Sequence, residues 1–192
     1  MTYSESELIA RATQGDRSAQ AEIVNQHERM VYNLALRLVG NEEDAENILQ
    51  ETFLKVLESL STFKGNSQLS TWIYRIATNF ALMHLRSKKK TFVSIDEYPL
   101  DEMQNFESFY QKNEEDPLKN VINSELREHL SEAIEQLPPK FKTVFVLKDI
   151  EGLSLKEISS MLSMSLPAVK SNLHRARVFL RNKLVNYMKK AE

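Results

Sequence analysis

The chain of 192 residues contains no cysteine, which excludes disulfides, a thiol nucleophile and any cysteine-ligated zinc or iron–sulfur centre. Glycine and proline are scarce, at four and five residues. Barrels and sandwiches consume both in their turns, so long helices are expected instead. No apolar run approaches the roughly 18 residues that a bilayer demands, and the start "MTYSESELIA" has no basic stretch followed by an apolar core. A cytoplasmic protein with no membrane insertion is expected. There is no His-Glu-x-x-His, no Walker loop, and none of the four histidines has Glu three residues before it. These absences predict no enzyme, no metal and no cofactor.

What is present is segregated charge. Residues 1–90 carry 11 Lys+Arg against 11 Asp+Glu, residues 91–136 carry 3 against 12, and residues 137–192 carry 11 against 4. The overall net charge of −2 therefore conceals neutral, acidic and basic blocks with different expected partners.

The first block reads as helices. Ser4 and Glu7 have capping-box spacing. Ile23, Met30, Val31, Leu34 and Leu38 recur at helical spacing up to Gly40, and Asn41 caps a further helix with Ala45, Ile48, Leu49, Phe53, Val56, Leu57 and Leu60 on its apolar face. After Gly65, Ser70 or Thr71 is placed to cap a helix from Trp72 to Arg86. From Thr91 to about Asp116 periodicity dissolves among acids, with Pro99 and Pro117 as punctuation; an acidic linker is expected, acting either as a spacer or as a functional segment. A helix through Val121, Leu126, Leu130, Ile134 and Leu137 is stopped by Pro138-Pro139, and "FKTVFVLKDI" forms the next, closed by Gly152.

Two helices then meet at a tight turn. Ser154 and Glu157 repeat the capping-box spacing, Ser163 to Ser165 form the turn, and Pro167 suits a first helical position, driving Leu166 out of helical geometry. That layout is a helix-turn-helix. On the second helix Leu173, Ala176 and Leu180 fall within about 40° of Val169, and no acid occurs from Ile158 to Ala191. Such a face suits a polyanion, the other reading being a cationic helix for an acidic protein surface. Lys170, Ser171, His174 and Arg175 are the expected base-edge readers; Arg177, Arg181 and Lys183 are the expected phosphate clamps.

A second candidate site lies in "STFKGNSQLSTWIYRIATN". Thr71, Arg75, Thr78, Asn79, Leu82 and Arg86 share an arc with Trp72 at its margin, behind a polar loop from Lys64 to Leu69 that includes Asn66 and Ser67. Aromatic rings stack on unpaired bases, amides read their edges and arginines hold phosphates. The competing reading makes Trp72, Tyr74 and Phe80 core anchors, and amphipathic rings can do both.

"ELIARATQGD", "VYNLALRLVGNEEDAENILQETFLKV", "FKGNSQLSTWIYRIATN", "LPPKFKTVFVLKDIEGLSLKEI" and "AVKSNLHRAR" together resemble, in the same order, the signatures of bacterial RNA polymerase sigma factors. The resemblance is to the extracytoplasmic-function (ECF) class of the sigma-70 family, and it covers nearly the whole chain. It implies an all-α protein of two small helical domains: a region 2 bundle at 1–90 and a region 4 helix-turn-helix at 121–192, joined by an acidic linker at 91–120. Asp44, Ala45, Ile48, Gln50, Glu51, Phe53 and Lys55 match the surface that grips the coiled coil of the polymerase's largest subunit. Phe63 and Asn79 match positions that contact a base flipped from the minus-ten element. Lys170, Ser171, His174, Arg175 and Arg177 match the helix that reads the minus-thirty-five element. Implied partners are core RNA polymerase (coiled coil and flap), promoter DNA in duplex and melted form, and an anti-sigma factor. Three features depart from the family pattern. Met83 stands where Asp is common, Pro167-Ala168 replace a hydroxyl-bearing pair, and Asn172 replaces a cation expected near DNA. The alternative function is a stand-alone helix-turn-helix regulator of duplex DNA, which leaves the aromatic loop and the Asp44–Lys55 helix without a role. The acidic linker is also expected to attract the basic helix within the free chain.

Overall fold

The computed structural model describes residues 4–88 and 124–188; the acidic linker expected at 91–120, and its attraction to the basic helix, lie outside them. Among the described residues there are eight α-helices and no strand. Helix α1 (Glu5–Thr13) starts at the expected capping box: Ser4 Oγ accepts from Glu7 N at 3.3 Å, and Ser4 N donates to Glu7 Oε2 at 3.0 Å. Helix α2 (Arg17–Val39) starts at Asp16, whose carboxylate takes the amides of Ser18 and Ala19, and it stops at Gly40, where φ is 81°. Helix α3 (Glu42–Ser59) is capped by Asn41, and a short 3-10 turn (Leu60–Thr62) leads to the loop before α4 (Leu69–Lys88). Helix α4 thus begins before either Ser70 or Thr71: the Trp72 amide reaches back to the Gln68 carbonyl at 3.2 Å.

The second unit contains α5 (Ser124–Glu135), α6 (Pro139–Phe145), α7 (Leu155–Leu162) and α8 (Leu166–Met188). The single helix expected over "FKTVFVLKDI" instead widens after Phe145 into a π-helical turn (Val146–Ile150). Helix α7 has its capping box, with Glu157 N donating to Ser154 Oγ at 3.2 Å and Ser154 N to Glu157 Oε2 at 2.8 Å. Ser163 closes α7 in the left-handed region at φ 52°, and Ser159 Oγ bridges the turn to the Met164 carbonyl at 2.6 Å. Leu166 is the first residue of α8, so Pro167 sits at the second position rather than the first. A first-turn residue needs no amide partner within the helix, so proline is tolerated there as well.

Apolar spacing determines how the units pack. Ile23, Leu34 and Leu38 from α2, Ile48 and Val56 from α3, and Ile73 from α4 are fully enclosed. Their core continues without a break into Val144, Val146, Leu147, Leu153, Ile158, Val169 and Leu173 of the second unit. The two units therefore share one apolar interior, with α6 and α7 against α4, and α6 and the π turn against α2. A smaller core of Ala133, Leu137, Phe141, Ala176 and Leu180 joins α5, α6 and α8.

Candidate nucleic-acid interface

The first face is built on α4 and its preceding loop. Gly65 takes φ 69° there, a conformation that favours glycine, and it turns the chain between Phe63 and the helix. Phe63 and Trp72 meet with ring centroids 5.4 Å apart and planes tilted by 52°. Both rings are half-buried against the core, so part of each remains accessible. Lys64, Asn66, Ser67, Arg75, Asn79 and Arg86 are exposed. Trp72, Arg75, Asn79, Met83 and Arg86 lie in one stripe at helical spacing, about 20 Å long. Met83, 59% exposed, adds an apolar contact where an acid was the expected residue type. Thr78 does not join this stripe: it is fully buried, with its hydroxyl unpartnered. Thr71 and Tyr74 turn toward the second unit. Tyr74 is buried, and Phe80 is half-buried, as core anchors would be.

The second face is the outer side of α8. Val169, Leu173, Ala176 and Leu180 are buried, as their spacing predicts. Lys170 and Arg181 are exposed, while Ser171, His174, Arg175 and Arg177 are half-buried. Arg175 lies over the Phe141 ring at 5.9 Å, a contact that fixes the guanidinium's stem while leaving part of it accessible. Arg177 is held by Asp149 of the π turn through two hydrogen bonds, at 2.9 and 2.6 Å. Lys183 Nζ donates to Gln136 Oε1 at 2.7 Å. Two of the three expected clamps are therefore drawn onto their own unit. Asn172 is a correction of the opposite kind. It is buried, with its amide nitrogen 4.0 Å from Met164 Sδ, so no charge is missing from the outer side of α8 at that position.

The third candidate surface, on α3, divides by helical phase. Asp44, Ala45, Ile48 and Phe53 are buried, and Gln50, Glu51 and Lys55 are exposed. Only the last three are open to a partner. Leu54, which the sequence reading passed over, is 72% exposed beside them. Its phase, opposite the Ala45–Ile48–Val56 stripe, was the signal that would have found it.

Asp44 serves the fold instead. Its amide donates to the Asn41 side chain at 2.9 Å, and its carboxylate accepts from Lys88 and Asn41, with His84 Nε2 3.0 Å away. Lys88 first, then Asn41, hold its pKa down at about 2. Folding lowers this acid, so its stabilisation is complete above the unfolded carboxylate range near 4 and drains away as pH falls toward 2. Asp44→Asn is expected to cost about 1–2 kcal/mol in urea unfolding at neutral pH. That difference should shrink as pH falls from about 4 and be gone only below pH 2.

Known proteins show the same layout. Residues 23–91 match the Sigma-70 region 2 family and residues 127–180 the Sigma-70, region 4 family. The ECF RNA polymerase sigma factor SigW of Bacillus subtilis (strain 168) is 36% identical, over 92% of this chain and 94% of its own. The ECF RNA polymerase sigma-E factor of Escherichia coli (strain K12) is 32% identical, over 92% of each. Among solved structures, CnrH in complex with the cytosolic domain of CnrY shares the fold, with a TM-score of 0.63 at 22% identity, over 93% of this chain and 96% of that one.

Proposed function

The chain belongs to the ECF class of the sigma-70 family, and from that premise we propose how its surfaces divide the work of a sigma factor. It directs RNA polymerase to promoters for transcription initiation and has no catalysis of its own. Phe63, Trp72, Arg75, Asn79 and Arg86, with the Lys64–Ser67 loop, take the separated strand of the minus-ten element. Lys170, Ser171, His174, Arg175 and Arg181 read the paired minus-thirty-five element, with Arg177 joining when a phosphate displaces Asp149. Gln50, Glu51, Lys55 and Leu54 meet the coiled coil of core polymerase. An anti-sigma protein is the expected regulator, and the cytoplasm is the place of action. Residues 1–90, 91–120 and 121–192 are the units of this reading.

The observation that carries this division is the pairing of a half-buried Phe63–Trp72 contact with exposed Arg75 and Asn79 on the same helix. Ring stacking serves unpaired bases, because the faces of bases in closed duplex are already stacked on one another, and the amide and guanidinium beside the rings add edge and phosphate contacts to a strand held there. A stand-alone duplex regulator would need neither that face nor the likeness over residues 23–91. Run-off transcription on a random promoter library tests the reading. Purified core polymerase supplied with this chain should gain new start sites, and the chain alone should shift promoter DNA poorly. No new start sites, or tight polymerase-independent binding, would overturn it.

A further inference from the structure

We propose that Glu151, clasped by Tyr74 and Arg37, is a latch that holds the two units closed in the free protein and must release before both promoter elements are engaged. Glu151 belongs to the second unit, just after the π turn, and its side chain is only 10% exposed. Both of its oxygens are taken by the first unit: Arg37 Nη1 of α2 donates at 2.6 Å and the Tyr74 hydroxyl of α4 at 2.5 Å. Thr71 adds a weaker contact to Glu157 at 3.4 Å. All three cross the seam between units.

The seam does not cover the DNA-facing residues, since Arg75, Asn79 and Lys170 remain exposed. What it fixes is distance. The minus-ten and minus-thirty-five elements are separated by about 25 base pairs, or roughly 85 Å at 3.4 Å per pair. A compact body of this size is only about 40 Å across. The closed arrangement therefore cannot seat both faces on one promoter. This step rests on the reading that each unit engages its own element.

A clasp of this chemistry suits a releasable seam. A buried carboxylate with all its partners on the opposing unit specifies one register strongly. Its net contribution to holding the units together is modest, because water re-solvates the charge on opening. A purely apolar seam of the same area would lack that register.

The absence of native cysteine makes the test direct. Cysteines placed at exposed Asn25 and Ser160 carry a dye pair for single-molecule energy transfer in the full chain. The wild-type latch should give one narrow, high-transfer population without polymerase. Glu151→Ala should raise the low-transfer population about tenfold or more, as expected for losing charge-assisted bonds. Tyr74→Phe, which keeps the packed ring and removes only the hydroxyl, should do so to a smaller extent, with helicity unchanged. A broad wild-type distribution, or variants that superimpose on wild type, overturns the latch. A separate arm adds core polymerase and promoter DNA, where transfer should be lost in every variant. Transfer that persists there overturns the two-element reading, and with it the inhibitory role of the latch, whatever the free protein does.

Discussion

Alanine at both Phe63 and Asn79 is expected to cut transcription from a fully paired promoter by about 10- to 100-fold. A template already unpaired across the minus-ten element should recover most of that loss. The size follows from stacking and edge contacts worth roughly 1–3 kcal/mol per base, with each 1.4 kcal/mol a factor of ten. The contrast between templates follows from the role proposed for the face. Extruding a base costs a few kcal/mol, and the pocket has to offset that cost only when the duplex is still closed. Asn79 is exposed, so truncating it leaves packing intact, and Phe63 gives up its tilted ring contact with Trp72 and part of its packing on the core. Equal losses on both templates would mean that these residues hold polymerase or fold rather than strand.

Leu147→Ala should have the largest effect on stability. Leu147 is completely enclosed in the π turn, within the apolar interior that both units share. Truncating such a leucine costs about 3 kcal/mol, part from lost transfer energy and part from the cavity. For a chain of this size that lowers the thermal midpoint by roughly 10 °C. Because the interior is continuous, the drop should appear in one transition followed by far-UV circular dichroism. If the midpoint of only one of two separable transitions moves, the shared core does not fold as a unit.

Local chemistry was easy to read from the sequence. The capping boxes at Ser4 and Ser154, the Ser163 turn and the buried stripe from Val169 to Leu180 all depend on residues a few positions apart. The same periodicity placed Arg75, Asn79 and Arg86 on one arc with Trp72 at its margin, while Phe63 was assigned to that site by the family resemblance. What escaped was long-range or a matter of phase. Arg37 and Glu151 are 114 residues apart, and Tyr74 and Glu151 are 77 apart; no local pattern encodes such a meeting. Asp44 looked like surface because acids usually are. It is buried because Lys88, at the far end of another helix, supplies its counter-charge. Asn172 looked like a surface position for the converse reason, since a polar side chain near a basic stripe gives no hint that it faces inward. The break after Phe145 was equally silent, as a π turn uses the same residue types as the helix it interrupts.

Asp149 and Glu151 stand two residues apart, and they point their carboxylates at different masters: one restrains Arg177 on α8, the other reaches Arg37 and Tyr74 across the seam. One short stretch of backbone therefore carries both the contact that ties the two units together and the contact that holds Arg177 against its own unit.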